Sequence, residues 1–141
     1  MTKKTLHGHV EPGCKDAKNW GIDDIRKATG WGHLKPGTLN VRLDAPHTLR
    51  ADFHLPRGQR EDGREEDLDF EPCWLVIGDG QKVKALIART STNYWKDSVL
   101  EIMAEVWLRE CYGLEDGNAV AVEVWVGPSA TAEAQQETSG G

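Results

Sequence analysis

Thr38 and Asn40 stand two residues apart in the stretch KPGTLNVRL (35–43), alternating with Leu39, Val41 and Leu43. In a strand, that spacing sends both polar side chains to one face, with a repeat of about 6.5–7 Å. A hydroxyl and an amide oxygen both suit a hard cation. Magnesium takes oxygen ligands and usually fills its remaining positions with water and substrate phosphates. Two neutral oxygens alone hold such an ion feebly, so a site of this kind works once a phosphorylated guest adds charge. The plain alternative is a pair of polar residues facing solvent.

Other familiar chemistry is missing from the chain. There is no GxxxxGK[ST], no GxGxxG, no GxSxG and no HExxH. His7 and His9 share a strand face, but two histidines alone make a weak metal case. The cysteines, Cys14, Cys73 and Cys111, are odd in number and lack CxxC spacing, which fits reduced thiols and a cytoplasmic protein.

The elements that position Thr38 and Asn40 read mostly as strands. TLHGHV (5–10) is a short strand, followed by a polar loop. IDDIRKATG (22–30) reads as a short helix, with Ile22 and Ile25 three apart and Gly30 as its stop. Residues 38–43 and 47–55 read as strands. RGQREDGREEDLD (57–69) carries six acids and three arginines and reads as a solvated, mobile loop. Residues 71–89 form a hairpin, with Asp79-Gly80 fitting a tight primed turn. VLEIMA (99–104) alternates as a strand, and VWLRECYG (106–113) reads as a short helix closed by Gly113. Val120, Val122, Val124 and Val126 then share one face of a last strand. The tail 127–141 has no large apolar residue and is expected to be disordered.

Six or seven short strands with two short helices and no βαβ alternation point to a small closed or semi-closed barrel. Residues 1–126 are expected to form that single domain. The 141 residues suffice for a core without disulfide or metal staples, and six tryptophans support one. The net charge of −6 argues against nucleic-acid and membrane surfaces, while allowing a nucleotide in a locally basic pocket. The N-terminus has no apolar signal-like region, and no window approaches a membrane span.

Taken together, several segments resemble the CTP-dependent riboflavin kinases of archaea. The resemblance runs from about Leu6 to Val126 and rests on joint order and approximate spacing. Its anchors are Gly8 and Val10, then GTLNV (37–41), then Thr90 at a strand end. LEI (100–102), LRE (108–110) and Leu114, Asp116 and Gly117 before the last strand complete the set. It implies a mainly β fold, a six-stranded cradle-loop barrel with two short helices. The implied reaction is phosphoryl transfer from CTP to riboflavin, giving FMN, with Mg2+ as cofactor.

Residue by residue, the resemblance assigns the metal to Thr38 and Asn40, and the flavin to Thr90 and Glu101. Glu101 alternates away from its apolar neighbours, so it faces either a cavity or water. The nucleotide falls to Gly13, Lys15, Lys18, Val106, Trp107, Leu108 and Arg109. Arg109 suits phosphate, and the helix start suits anions. Trp107 either stacks on a base or fills the core, and core burial is the expectation. The resemblance leaves the catalytic base unassigned. The chain departs from the family at its glycine-rich loop, which reads GCKDAKNWG (13–21), with Asp16, Ala17 and Lys18 in place of glycines. TSTNYWKDS (90–98), before Glu101, is longer than the family's loop and lacks its histidine. The altered loop makes a non-catalytic flavin- or nucleotide-binding barrel the alternative function. An interaction protein using Trp20, Trp31 or Trp95 is a third.

Overall fold

A computed structural model describes residues 2–13, 20–92 and 97–126. Its strands are β1 (Thr2–Glu11), β2 (Leu39–Leu43), β3 (Phe53–Leu55), β4 (Leu68–Ile77), β5 (Gln81–Thr90), β6 (Val99–Ala104) and β7 (Ala119–Val126). Two helices, α1 (Ile22–Thr29) and α2 (Leu108–Tyr112), complete the regular structure, with a 3₁₀ turn at Arg57–Gln59. The strands follow the order β4-β5-β6-β2-β1-β7, and β7 pairs back onto β4. That pairing closes a six-stranded antiparallel barrel, with β3 as an extra strand on β4.

Side-chain alternation fills the barrel. Leu39, Val41 and Leu43 of β2 meet Leu100, Ile102 and Ala104 of β6 and Val120, Val122 and Val124 of β7 in one buried cluster. Odd and even positions point to opposite faces, so the intervening residues face outward. On β4, β5 and β6 that outer face is apolar as well. Phe70, Leu86, Ala88 and Met103 pack there against Ile25 of α1, Trp20 and Leu34. Fully burying one such large side chain is worth about 1.5–3 kcal/mol. Asn40 thus sits on β2, paired with β1 on one side and β6 on the other, and Thr38 stands directly before that strand.

Two local details show why the sequence folds this way. A Cβ on Gly8 would lie 2.3 Å from the Arg42 carbonyl oxygen, so only glycine lets β1 approach β2 this closely. Pro72 falls between the β3 ladder, which ends at Phe70, and the β7 ladder, which begins at Trp74. Its missing N–H therefore costs no ladder bond on that edge.

The structure corrects several expectations. The β4–β5 hairpin has a three-residue loop, Gly78 to Gly80, with positive φ at the two glycines and not at Asp79. Only Phe53–Leu55 of the expected 47–55 strand pairs, and His47 is instead buried against Glu71. The acidic segment 57–69 is partly interior. Arg60 is buried, with its guanidinium 2.6 Å from Asp62 Oδ2, and Leu68 is in the core. Asp62 also accepts from the Gly21 N–H at 3.0 Å, which docks this segment at the start of α1. α2 is shorter than expected, spanning Leu108–Tyr112 and stopping at Gly113 in the left-handed conformation. The tail 127–141 lies outside the described residues.

Candidate functional site

β2 begins at Leu39, and Thr38 sits just before it, held by the sharp Pro36-Gly37 approach. The Thr38 hydroxyl donates to Asn40 Oδ1 at 3.2 Å, so the two side chains do converge on one face. Asn40 is buried, and a Cβ on Gly13 would rest 3.6 Å from its Oδ1. The backbone at Gly13 thus walls the pair from the β1 side.

Sheet register adds carboxylates to that row. Asn40 lies directly opposite Glu11 on β1 and Glu101 on β6. Directly paired residues share a face, so an amide sits between two acids. Glu11 is held by Arg42 at 2.8 Å. Glu101 is only 9% exposed, so it is largely withdrawn from water. Thr90, also buried, lies on the same outer face of β5, two residues beyond Ala88, the partner of Glu101. Thr38, Asn40, Glu101 and Thr90 therefore follow one another across three adjacent strands. Glu11 was not visible in the sequence as a site residue, because only the β1–β2 register brings it beside Asn40.

A cavity of about 580 Å³ opens at the start of β2 and the end of β6. Gly13, Thr38, Val106, Trp107, Leu108 and Arg109 all line it. Lys35 and Glu110 join them and were missed. The signal for Lys35 was its place directly before the Pro-Gly turn. Its N–H donates to the Ala104 carbonyl at 2.9 Å, which ties the approach to β2 onto the end of β6.

Trp107 does not fill the core. It is 46% exposed, and the Lys35 ammonium stands 5.9 Å from its ring centroid. Arg109 is partly committed, donating to Asp116 Oδ1 at 2.8 Å and to the Glu11 carbonyl at 3.1 Å. At five residues α2 is short, so side chains and loop backbone, more than its dipole, set the polarity of this wall. Lys15 and Lys18 lie outside the described residues.

The opposite end of β2 and β6 is closed by charge. Glu71 is fully buried inside the barrel and meets buried His47 Nε2 at 2.9 Å. The Arg50 N–H also donates to Glu71 Oε1, at 3.1 Å. Arg89 reaches Asp97 at 3.3 Å. Burial lowers its guanidinium pKa, and the surrounding carboxylates Asp97, Glu71, Glu101 and Asp69 partly offset that. Burial, with Glu71 nearby, pushes the neighbouring Cys73 thiol well above its ordinary range, so it stays protonated and inert.

Residues 23–124 match the family model of the CTP-dependent riboflavin kinases, described as domain of unknown function DUF120. The chain belongs to the CTP-dependent riboflavin kinase family. Among similar curated proteins, the riboflavin kinase of Methanospirillum hungatei is 25% identical, over 84% of this chain and 57% of its own length. That of Thermofilum pendens is 28% identical, over 85% of this chain and 58% of its own. The riboflavin kinase of Methanocella arvoryzae is 34% identical over 62% of this chain and 39% of its own length. The chain thus spans less than two thirds of the length of these relatives. The family match covers β2 to β6, the strands that carry Thr38, Asn40, Thr90 and Glu101.

Proposed function

We propose that this barrel transfers the γ-phosphoryl group of CTP to riboflavin. In that reaction the terminal ribityl hydroxyl oxygen forms the new bond to phosphorus as the bond to the CDP leaving oxygen breaks. The hydroxyl proton is released, and FMN and CDP leave. Phosphoryl transfer of this kind rests mainly on positioning and charge neutralisation.

The observation that carries the reading is convergence. Thr38, whose hydroxyl donates to Asn40 just behind it, and the 106–109 segment, far apart in sequence, meet around one cavity in a chain of this family. The residues fit a divalent cation: two neutral oxygens 3.2 Å apart at the start of β2, with Glu11 and Glu101 in register with Asn40 on either side. Bound there with the nucleotide, magnesium would supply charge to offset the phosphates. Trp107 offers an exposed ring for a base, and the Gly13 backbone lies close beside the Asn40 side chain on the β1 side. Glu101 and Thr90, one strand further round, present acceptors for the donor groups of a flavin.

A second reading, a binding barrel without transfer, draws on Arg109. Its ties to Asp116 and Glu11 leave less of the guanidinium for phosphate. The loop sequence GCKDAKNWG, poor in glycine, favours the same reading.

One assay separates the two. The protein is incubated with riboflavin, magnesium and each nucleoside triphosphate in turn, and FMN is followed by chromatography. CTP-dependent FMN is the expected result. CTP or riboflavin binding without product supports the second reading, and binding of neither overturns both.

A further inference from the structure

We propose that Lys35 is the phosphate-directed cation of the cavity, resting over the Trp107 indole until an anionic ligand draws it away. The inference deepens the nucleotide reading and rests on it for the base, but not for the polyphosphate.

Three observations carry it. First, Lys35 pairs with no carboxylate among the described residues, and its ammonium lies 5.9 Å from the Trp107 centroid. That distance is at the outer edge of cation–π attraction, so the ring holds the charge weakly. Second, the cavity's other cation among the described residues, Arg109, is already engaged by Asp116 and a backbone carbonyl. Third, the Lys35 backbone is pinned to Ala104 and stands three residues before Thr38, so its long stem can swing while its root stays fixed. A lysine ammonium is a compact point charge on a flexible stem, which suits an anion that arrives and leaves. Glu110 is the one carboxylate on the cavity wall among the described residues, and it disfavours an anion at its own side. The Lys35–Thr38 side is left for phosphate.

The consequence is a division of labour. Trp107 takes the base, Thr38 and Asn40 take the metal, and Lys35 distinguishes a charged nucleotide from an uncharged nucleoside.

The test is isothermal titration of wild type, Lys35→Met and Lys35→Arg with CTP, cytidine and tripolyphosphate, each with magnesium. Lys35→Met is expected to weaken CTP and tripolyphosphate about tenfold, the usual worth of a charge-assisted hydrogen bond, and to leave cytidine unchanged. Lys35→Arg is expected to restore most of the loss. Equal CTP affinity in wild type and Lys35→Met overturns the proposal, as does an equal loss for CTP and cytidine, which would mark Lys35 as packing for Trp107. If wild type binds tripolyphosphate through Lys35 but shows no preference for CTP, the base reading falls and the Lys35 assignment stands. If wild type binds none of the three, both fall.

Discussion

The two ends of β2 treat polar residues in opposite ways. Beyond Leu43, His47 and Glu71 are sealed inside the barrel with Arg89 beside them, nearly all of their polar atoms partnered by protein. Before Leu39, Lys35, Thr38 and Trp107 surround a cavity with binding capacity to spare. A dry polar cluster must satisfy itself, since an orphaned buried charge costs several kcal/mol. A cavity rim can leave its groups to water until a ligand replaces that water. One end therefore specifies the fold and the other is free to specify a guest. Glu71 Oε2, which has no hydrogen-bond partner among the described residues, shows how finely the closed end is balanced.

The largest effect is expected at the closed end. Glu71→Leu removes the partner of His47 and a counter-charge for Arg89, and should destabilise the barrel by about 3–5 kcal/mol. Urea unfolding measures it, and a loss under 1 kcal/mol would show that the closed end is not what secures the fold. At the open end, Asn40→Ala should weaken magnesium-dependent CTP binding by about 10–100-fold, the cost of losing a ligand to a charged group. An unchanged magnesium requirement would take Asn40 out of the metal seat.

Trp107→Ala sharpens the contrast, because an exposed ring should matter for binding and little for folding. CTP affinity should fall by roughly 1–3 kcal/mol, the value of a base–aromatic stack, while stability moves by no more than about 0.5 kcal/mol. A large drop in melting temperature would return Trp107 to the core. The smallest effect belongs to the β7–β4 pairing that closes the barrel, where Glu123 of β7 meets Lys82 at 2.9 Å and Lys3 at 3.4 Å. Lys82 chiefly, then Lys3, holds its carboxyl below the ordinary range against the opposing effect of burial. Its contribution is therefore complete above the unfolded carboxylate pKa of about 4.3 and fades as pH falls through the lower folded value. The melting-temperature gap between wild type and Glu123→Gln should be present at neutral pH and vanish in acid. A gap that persists in acid would mean the carboxylate charge is not its source.

Period-two alternation made β2, β6 and β7 readable, because one buried face leaves a regular apolar trace whatever its partner is. Gly30 and Gly113 marked helix ends for an equally local reason, as each adopts a left-handed backbone there. The hairpin loop was misjudged because Asp79-Gly80 fits a primed turn locally, whereas the β4–β5 register places Gly78 in the loop as well. His47 and Arg60 misled for a different reason. Each is polar and sits among turn residues, and only a distant carboxylate or a docked loop makes its burial affordable.

By itself, the sequence determined the strand-rich class, the Thr38–Asn40 pairing on one face and the family. Each of these rests on neighbours along the chain or on the order of short motifs. Tertiary structure decided the closure of β7 onto β4, the placing of Glu11 and Glu101 on either side of Asn40, and the meeting of Lys35 with Trp107. Those contacts depend on strand register and on loops pinned to distant carbonyls. A linear pattern carries the period of a strand but not the identity of the residue across from it.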